Sequence, residues 1–178
     1  LLISFAGAMT NFTYDGAATA TPLAILKNGG TVNTFDMLVG TVPGTIAETS
    51  VIAILIGAIF LILMGVIDLK IPGSYLITFS VFILLFGGHG MDTNFLVAHL
   101  CGGGLMLGAF FMATDYVTSP MTPTGQIIYG VSIGFLTVVI RAFGSYPEGM
   151  SFAILIMNAF TPLINTYCKP KRFGEVNK

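Results

Sequence analysis

Long apolar runs without charge constrain this chain more than any other feature of its sequence. The hydrocarbon core of a bilayer holds no water, so backbone groups inside it must bond to one another, and runs of about 20 apolar residues therefore form helices. Five apolar runs of 12 to 20 residues occur here, and each is interpreted as a membrane helix: 50–67, 75–86, 95–114, 127–140 and 150–164. Pro72 and Gly73, after the first run, are interpreted as a turn, and Pro162 as an interruption of the fifth run.

The composition supports a multi-pass, all-α integral membrane protein. Charged residues make up 8% of the chain and hydrophobic residues 54%, whereas soluble domains carry about 25% charged residues. Seven basic and eight acidic residues leave a net charge of −1, which does not indicate a nucleic-acid partner. Cys101 and Cys168 are far apart and match no metal-binding or redox spacing, so we expect two thiols buried in the membrane.

The runs divide the chain into four parts. Residues 1–8 are expected to end a preceding transmembrane helix, 9–49 to form an outer loop, 50–168 to form a five-helix membrane domain, and 169–178 to form a basic tail. Because the sequence opens on Leu-Leu-Ile without an initiator Met or a leader, we expect it to be the C-terminal portion of a longer protein.

Basic residues predict the orientation of the helices. Cytoplasmic segments collect Lys and Arg, and Lys169, Lys171, Arg172 and Lys178 lie in the tail, which is therefore predicted to be cytoplasmic. Five crossings are an odd number, so the loop 9–49 is predicted to face the outside.

The third run contains Gly102-Gly103-Gly104. Such a run is typical of a broken or re-entrant helix, which is tolerated where the backbone lines a cavity or is buried in protein. Close helix packing through small residues is the simpler interpretation and is favoured. A transporter or channel that binds a small solute at a broken helix, without redox chemistry, is the alternative function.

A few polar side chains in the membrane domain are candidate site residues. Arg141 is expected to pair with Glu148 or to extend to the membrane interface. The alternative is a functional role, as an anchor for an anionic cofactor group or as part of an ion path. Asp115 is interpreted as an exposed helix end. His89 and His99 have no third ligand at helical spacing, so no metal site is predicted.

One polar stretch precedes the membrane domain, Asp15-Gly16-Ala17-Ala18-Thr19-Ala20-Thr21. Small residues leave a hydroxyl accessible to a modifying enzyme, and an acidic residue upstream could help that enzyme to dock. The stretch alone also fits an ordinary polar loop with helix-capping threonines.

The stretch resembles the flavinylation motif D-x-x-(S/T)-x-A-T found in the D subunit of the Rnf ferredoxin:NAD oxidoreductase and in its relative, the B subunit of the sodium-translocating NADH:quinone reductase. Those families read S-G-A-T-P-L-A where residues 18–24 read A-T-A-T-P-L-A. Three further segments resemble the same family in the same order, F-M-A-T-D at 111–115, R-A-F-G-S-Y-P-E-G at 141–149 and N-A-F-T-P-L-I at 158–164.

The resemblance implies FMN joined through its phosphate to Thr21, which matches by its offset from Asp15 and by the Pro-Leu that follows. Thr19 is the alternative acceptor, and Gly16 and Ala20 complete the expected cofactor-binding residues. No residue is expected to be catalytic in its own right.

The resemblance also implies a setting. The chain would be the second half of an inverted-repeat, ten-helix subunit in a bacterial or archaeal cell membrane, with its flavin on the outer face. Expected partners are the lipid bilayer, a flavin transferase and the other Rnf subunits, including a second FMN-bearing one. The resemblance to the NADH:quinone reductase subunit also implies a candidate second, non-covalent flavin, such as riboflavin. Electrons would pass from ferredoxin to NAD, coupled to export of sodium ions or protons.

Overall fold

A computed structural model describes residues 22–27, 30, 33–40, 50–87, 92–144 and 148–169. All regular secondary structure in this part of the chain is helical, without strands. The helices are α1 (Pro22–Lys27), α2 (Thr34–Val39), α3 (Val51–Leu63), α4 (Lys70–Phe86), α5 (Thr93–Cys101), α6 (Leu105–Leu107, continued by the π-helical turn Gly108–Met112), α7 (Pro123–Phe143) and α8 (Met150–Tyr167).

Two of these helices, α7 and α8, are long and apolar enough to cross a membrane. The pair formed by α5 and the segment Leu105–Met112 would be a third span, bent by 64° at its break. The helices α3 and α4 are shorter apolar helices of 13 and 17 residues. Each predicted apolar run therefore contains a helix, and the count of five crossings stays a prediction.

The start of α7 follows from local capping chemistry. The side chain of Thr122 accepts a hydrogen bond from the backbone N–H of Gly125 at 3.2 Å. Pro123 takes the first helical position, where its missing N–H would have had no partner inside the helix. This cap places the helix start four residues before the apolar run that begins at position 127.

The sequence prediction for the start of α4 was wrong. Pro72 and Gly73 were interpreted as a turn, but α4 begins at Lys70 and includes both residues. A proline in the first turn of a helix removes an N–H that no helical carbonyl would accept, so it does not interrupt the helix. Pro162 likewise does not end α8, which runs to Tyr167.

The centre of the fold is the contact between α4 and α7, which is the most extensive contact between two helices in the described part of the chain. Gly134 allows the close approach, because a Cβ there would lie 2.8 Å from the backbone oxygen of Tyr75. Tyr75 is fully buried, and its hydroxyl lies 3.3 Å from the hydroxyl of Thr137. Close packing through small residues thus occurs in this bundle, between α4 and α7.

The glycine run in the third apolar segment marks a real break. The helix α5 ends at Cys101. Gly103 and Gly104 then have φ values of +65° and +62°, which residues other than glycine rarely adopt. The chain then turns by 64° into α6. The broken helix is therefore confirmed. It does not contradict the favoured interpretation, close packing through small residues, since a Cβ built on Gly102 would lie 2.9 Å from Leu23 Cδ1.

The region expected to be an outer loop contains α1 and α2. Residue Met37 of α2 is 2% exposed, and Leu23 of α1 is 3% exposed. The helix α2 contacts both α3 and α5, so the described portions of this region fold onto the membrane helices.

Candidate functional site at the helix break

The predicted cofactor-binding residues, Asp15, Gly16, Thr19, Ala20 and Thr21, lie outside the described residues. Description of the chain begins directly after them, at the first residue of α1. Leu23 of α1 packs against Gly102 and Gly103, at the break between α5 and α6.

Arg141, in the last turn of α7, is the charged group at this break. Its Nη1 donates a hydrogen bond to the backbone oxygen of His99 at 2.7 Å, and its Nη2 donates to the backbone oxygen of Gly102 at 3.0 Å. Only 5% of the residue is exposed. The planar guanidinium therefore bridges two carbonyls on either side of the end of α5.

The two hydrogen bonds from Arg141 satisfy backbone carbonyls at the end of α5. The last four carbonyls of a helix have no partner within it, and in a buried position each such group is costly. The oxygen of His99 belongs to that set, and the negative end of the helix dipole favours a cation there. The guanidinium carbon also lies 5.1 Å from the centre of the Phe79 ring, within range of a cation–π contact.

The position of Arg141 corrects one sequence prediction. A side chain extending to the membrane interface would be exposed, whereas this one is buried. Glu148, its other expected partner, comes near the same place, since its Cγ would lie 3.4 Å from a Cβ built on Gly103. The hydrogen bonds that hold the guanidinium go to backbone oxygens of the break.

Leu23 fills the other side of the break. A Cβ built on Gly102 would lie 2.9 Å from Leu23 Cδ1, and a Cβ built on Gly103 would lie 3.1 Å from Leu23 Cδ2. Met37 Cε would lie 3.1 Å from the Cβ on Gly102. The absence of side chains on the two glycines is what admits these apolar groups.

A second concave feature lies between the end of α3 and the start of α7. It is a pocket of about 150 Å³ whose polar lining includes Asp68, Thr114, Ser119 and Gln126. Pockets for drug-sized ligands measure about 300–1,000 Å³. This pocket is therefore too small for a flavin and suits a few water molecules.

The other candidate residues from the sequence take structural positions. Asp115 is exposed and accepts a hydrogen bond from the Thr118 hydroxyl at 3.1 Å, as expected for a helix end in water. The Nδ1 of His99 lies 3.0 Å from the oxygen of Phe95, one turn back along α5. His89 lies outside the described residues. Both cysteines are free thiols of intermediate exposure, and their burial in the membrane stays a prediction.

Sequence reasoning missed the meeting of Leu23, Gly103 and Arg141. Leucine is the commonest kind of apolar residue, and 118 positions of chain separate it from the arginine, so no local pattern joins them. The available signals were the glycine run and the single arginine at the end of an apolar segment.

Comparison with known proteins identifies relatives along nearly the whole chain. A sequence model of the NQR2, RnfD, RnfE family matches residues 1–174. The D subunit of the Na(+)-translocating ferredoxin:NAD(+) oxidoreductase complex of Acetobacterium woodii is 47% identical over 183 aligned residues, which cover 98% of this chain and 56% of the relative.

Two more relatives have similar names. The D subunit of the proton-translocating ferredoxin:NAD(+) oxidoreductase complex of Clostridium ljungdahlii is 43% identical, over 98% of this chain and 58% of its own length. The D subunit of the ion-translocating oxidoreductase complex of Stutzerimonas stutzeri is 39% identical, over 74% of this chain and 38% of its own length.

The chain spans a little over half the length of the first two curated relatives. The family model covers nearly the whole chain, and two relatives are 47% and 43% identical over 98% of it. This membrane protein belongs to the NQR2, RnfD, RnfE family.

Proposed function

We propose that this chain is part of the membrane-embedded D subunit of an Rnf-type ion-translocating ferredoxin:NAD oxidoreductase, and that it carries FMN as a phosphoester on Thr21. The observation that carries the proposal is the stretch from Asp15 to Ala24 within a chain of this family. The protein would relay electrons through the flavin while the complex exports an ion.

The division of labour between cofactor and protein follows from their chemistry. When bound, the flavin supplies the redox step, and the protein supplies attachment, position and electrostatics. The Thr21 hydroxyl would form the ester, and the small residues from Gly16 to Ala20 would admit a flavin transferase. The tightly folded membrane helices then keep the carrier at a constant place in the complex.

The proposal includes a setting in the membrane. The basic tail would face the cytoplasm and the flavin-bearing segment the outer side, because Lys and Arg collect on the cytoplasmic side. Other membrane and peripheral subunits, one of them bearing a second FMN, would be its partners. A non-covalent riboflavin in this protein stays a prediction.

We propose that the exported ion is either sodium or a proton. Two relatives with similar identities, 47% and 43%, are named for different ions. Overall similarity therefore does not choose between the two.

A transporter or channel without redox chemistry is the second candidate, and the helix break favours it, because transporters bind ions at carbonyls freed by such breaks. Here, however, the cationic side chain of Arg141 bonds to two of these carbonyls. A protein cation in that place weakens the case for a solute or ion site at the break.

The test is flavin detection on the full-length protein, purified within its native complex. In-gel fluorescence after SDS denaturation is expected to show a flavin band that disappears in Thr21→Val. A mass spectrum of the peptide containing Thr21 is expected to show an FMN-sized increment. Thr19→Val is the matched control, two residues away, and should keep the band.

Each possible outcome decides one point. If the wild-type complex gives no SDS-stable flavin, the flavin-carrier proposal is wrong and the transporter candidate gains. If Thr19→Val loses the band and Thr21→Val keeps it, the carrier proposal stands and the acceptor is Thr19.

A further inference from the structure

Leu23 links the flavin-attachment stretch to the membrane helices. It is 3% exposed, although it lies in a short helix outside the main bundle. Both of its methyl groups reach the glycines of the break, Cδ1 toward Gly102 and Cδ2 toward Gly103. The side chain of this α1 residue is therefore seated between α5 and α6.

The opposite wall of this seat is the guanidinium of Arg141. A Cβ built on Gly103 would lie 2.9 Å from Arg141 Nη2 and 3.1 Å from Leu23 Cδ2, so that one glycine separates the cation from the leucine. The same Nη2 donates to the oxygen of Gly102. Arg141 thus holds the break in the shape that receives Leu23.

Covalent geometry carries this contact to the attachment point. Two residues of chain span at most about 7 Å between Cα atoms, so Thr21 stays within that distance of Leu23 in any conformation. A seated Leu23 therefore restricts where a group on Thr21 can lie.

We propose that Leu23 is a positioning residue that docks the attachment stretch into a seat formed by Gly102, Gly103 and Arg141. This inference rests on the proposed function, because the group being positioned is the FMN on Thr21. The chemistry of the seat, two bare glycines beside a backbone-bonded guanidinium, selects a branched apolar side chain. Once seated, the leucine limits the motion of the flavin-bearing segment.

The docking contact is tested first, by a measurement that needs no flavin. Cysteines are placed at Leu23→Cys and Glu148→Cys in the full-length protein, with Cys101 replaced by alanine. Cysteine is a small apolar residue, and unlike alanine it keeps a γ atom, so we expect its thiol to occupy the place of the leucine side chain. The atoms Leu23 Cδ2 and Glu148 Cγ lie 3.1 and 3.4 Å from the same point beside Gly103. We expect dibromobimane, a short thiol cross-linker, to join them, as read from cross-linked peptides by mass spectrometry.

Native Cys168 provides the matched control for the cross-link. It lies just beyond the far end of α8, whereas Glu148 lies just before the beginning of that helix. Linkage of Leu23→Cys to Cys168 as efficient as linkage to Glu148→Cys would overturn the docking contact. So would the absence of both cross-links.

The positioning role is tested second, through the flavin in the native complex. Leu23→Ala should keep the SDS-stable flavin. After subtraction of the fluorescence of a Thr21→Val complex, which keeps only the other flavins, Leu23→Ala should raise the constant for iodide quenching by about twofold or more, because an undocked segment samples open states. Leu63→Ala is the matched control, since Leu63 is 81% exposed on α3 and should leave the constant unchanged.

The outcomes separate this inference from the proposed function. A specific cross-link with unchanged quenching in Leu23→Ala would show that Leu23 packs without positioning the flavin, and the inference would be wrong. If the wild type carries no SDS-stable flavin, the proposed function fails and the positioning role fails with it, whatever the cross-link shows.

Discussion

Replacing Arg141 with methionine removes the group that satisfies the end of α5 while keeping an apolar stem of similar length. Two hydrogen bonds to carbonyls are lost, at 2.7 and 3.0 Å, and hydrogen bonds between membrane helices contribute about 0.6 kcal/mol each, up to about 1.7. The contact with Phe79 adds about 0.5–2 kcal/mol. Relief from burying a charge offsets part of this loss, so we expect a net destabilisation of the break of about 1–3 kcal/mol.

Labelling of Cys101 provides the assay, because this thiol ends α5 and lies next to the break. If opening of the break exposes the thiol, a change of about 1–3 kcal/mol raises the maleimide labelling rate roughly 5- to 150-fold. Arg141→Lys should fall between wild type and Arg141→Met, since an ammonium keeps the charge but lacks the fork that binds two carbonyls at once.

Two controls make the result specific. Lys70→Met removes a surface ion pair with Asp68, of 3.2 Å, which is worth about 0–1 kcal/mol and is remote from the break in sequence. Cys168, at the end of α8, reports labelling away from the break. A Cys101 labelling rate in Arg141→Met within about twofold of that in Lys70→Met would refute the idea that the guanidinium holds the break closed.

The remaining predictions concern the bundle. Gly134→Ala should destabilise the protein by about 1–3 kcal/mol in detergent unfolding followed by circular dichroism, because its Cβ would meet the backbone oxygen of Tyr75 at 2.8 Å. The control Gly73→Ala should be neutral or stabilising, because a Cβ on Gly73 meets nothing within 4 Å. Equal losses of stability in the two variants would contradict the packing argument. Thr122→Ala should lower the stability by about 1 kcal/mol in the same assay, because the capping hydrogen bond from the Gly125 N–H is lost. Thr122→Ser should keep most of that stability. A serine variant as unstable as the alanine variant would show that the cap does not stabilise α7.

How far the sequence predicted the helices depended on local chemistry. The apolar run 150–164 begins at Met150, as α8 does, because water exclusion makes such runs helical whatever their other preferences. Pro72 misled the prediction, since a proline marks a turn or a first helical turn according to where the helix begins. That start lies at Lys70, beside the charged turn, and outside the apolar run.

The candidate site shows the same division. The D-x-x-x-x-A-T stretch ending at Thr21 could be proposed as an attachment motif from residue types alone, because such a motif is local in the sequence. The seat of Leu23 could not, because it depends on Gly103 and Arg141, which are distant in sequence.

By itself, the sequence determined that this is an all-α membrane protein of a recognisable family, because the bilayer allows an apolar run few alternatives to a helix. It also contained the proposed attachment motif and the glycines. Only the tertiary structure decided that those glycines break the helix, that Arg141 bonds to carbonyls at the break and that Leu23 fills the remaining space. The physical reason is that a guanidinium with several donors bonds to whichever acceptors the fold leaves unsatisfied, and the fold alone determines which those are.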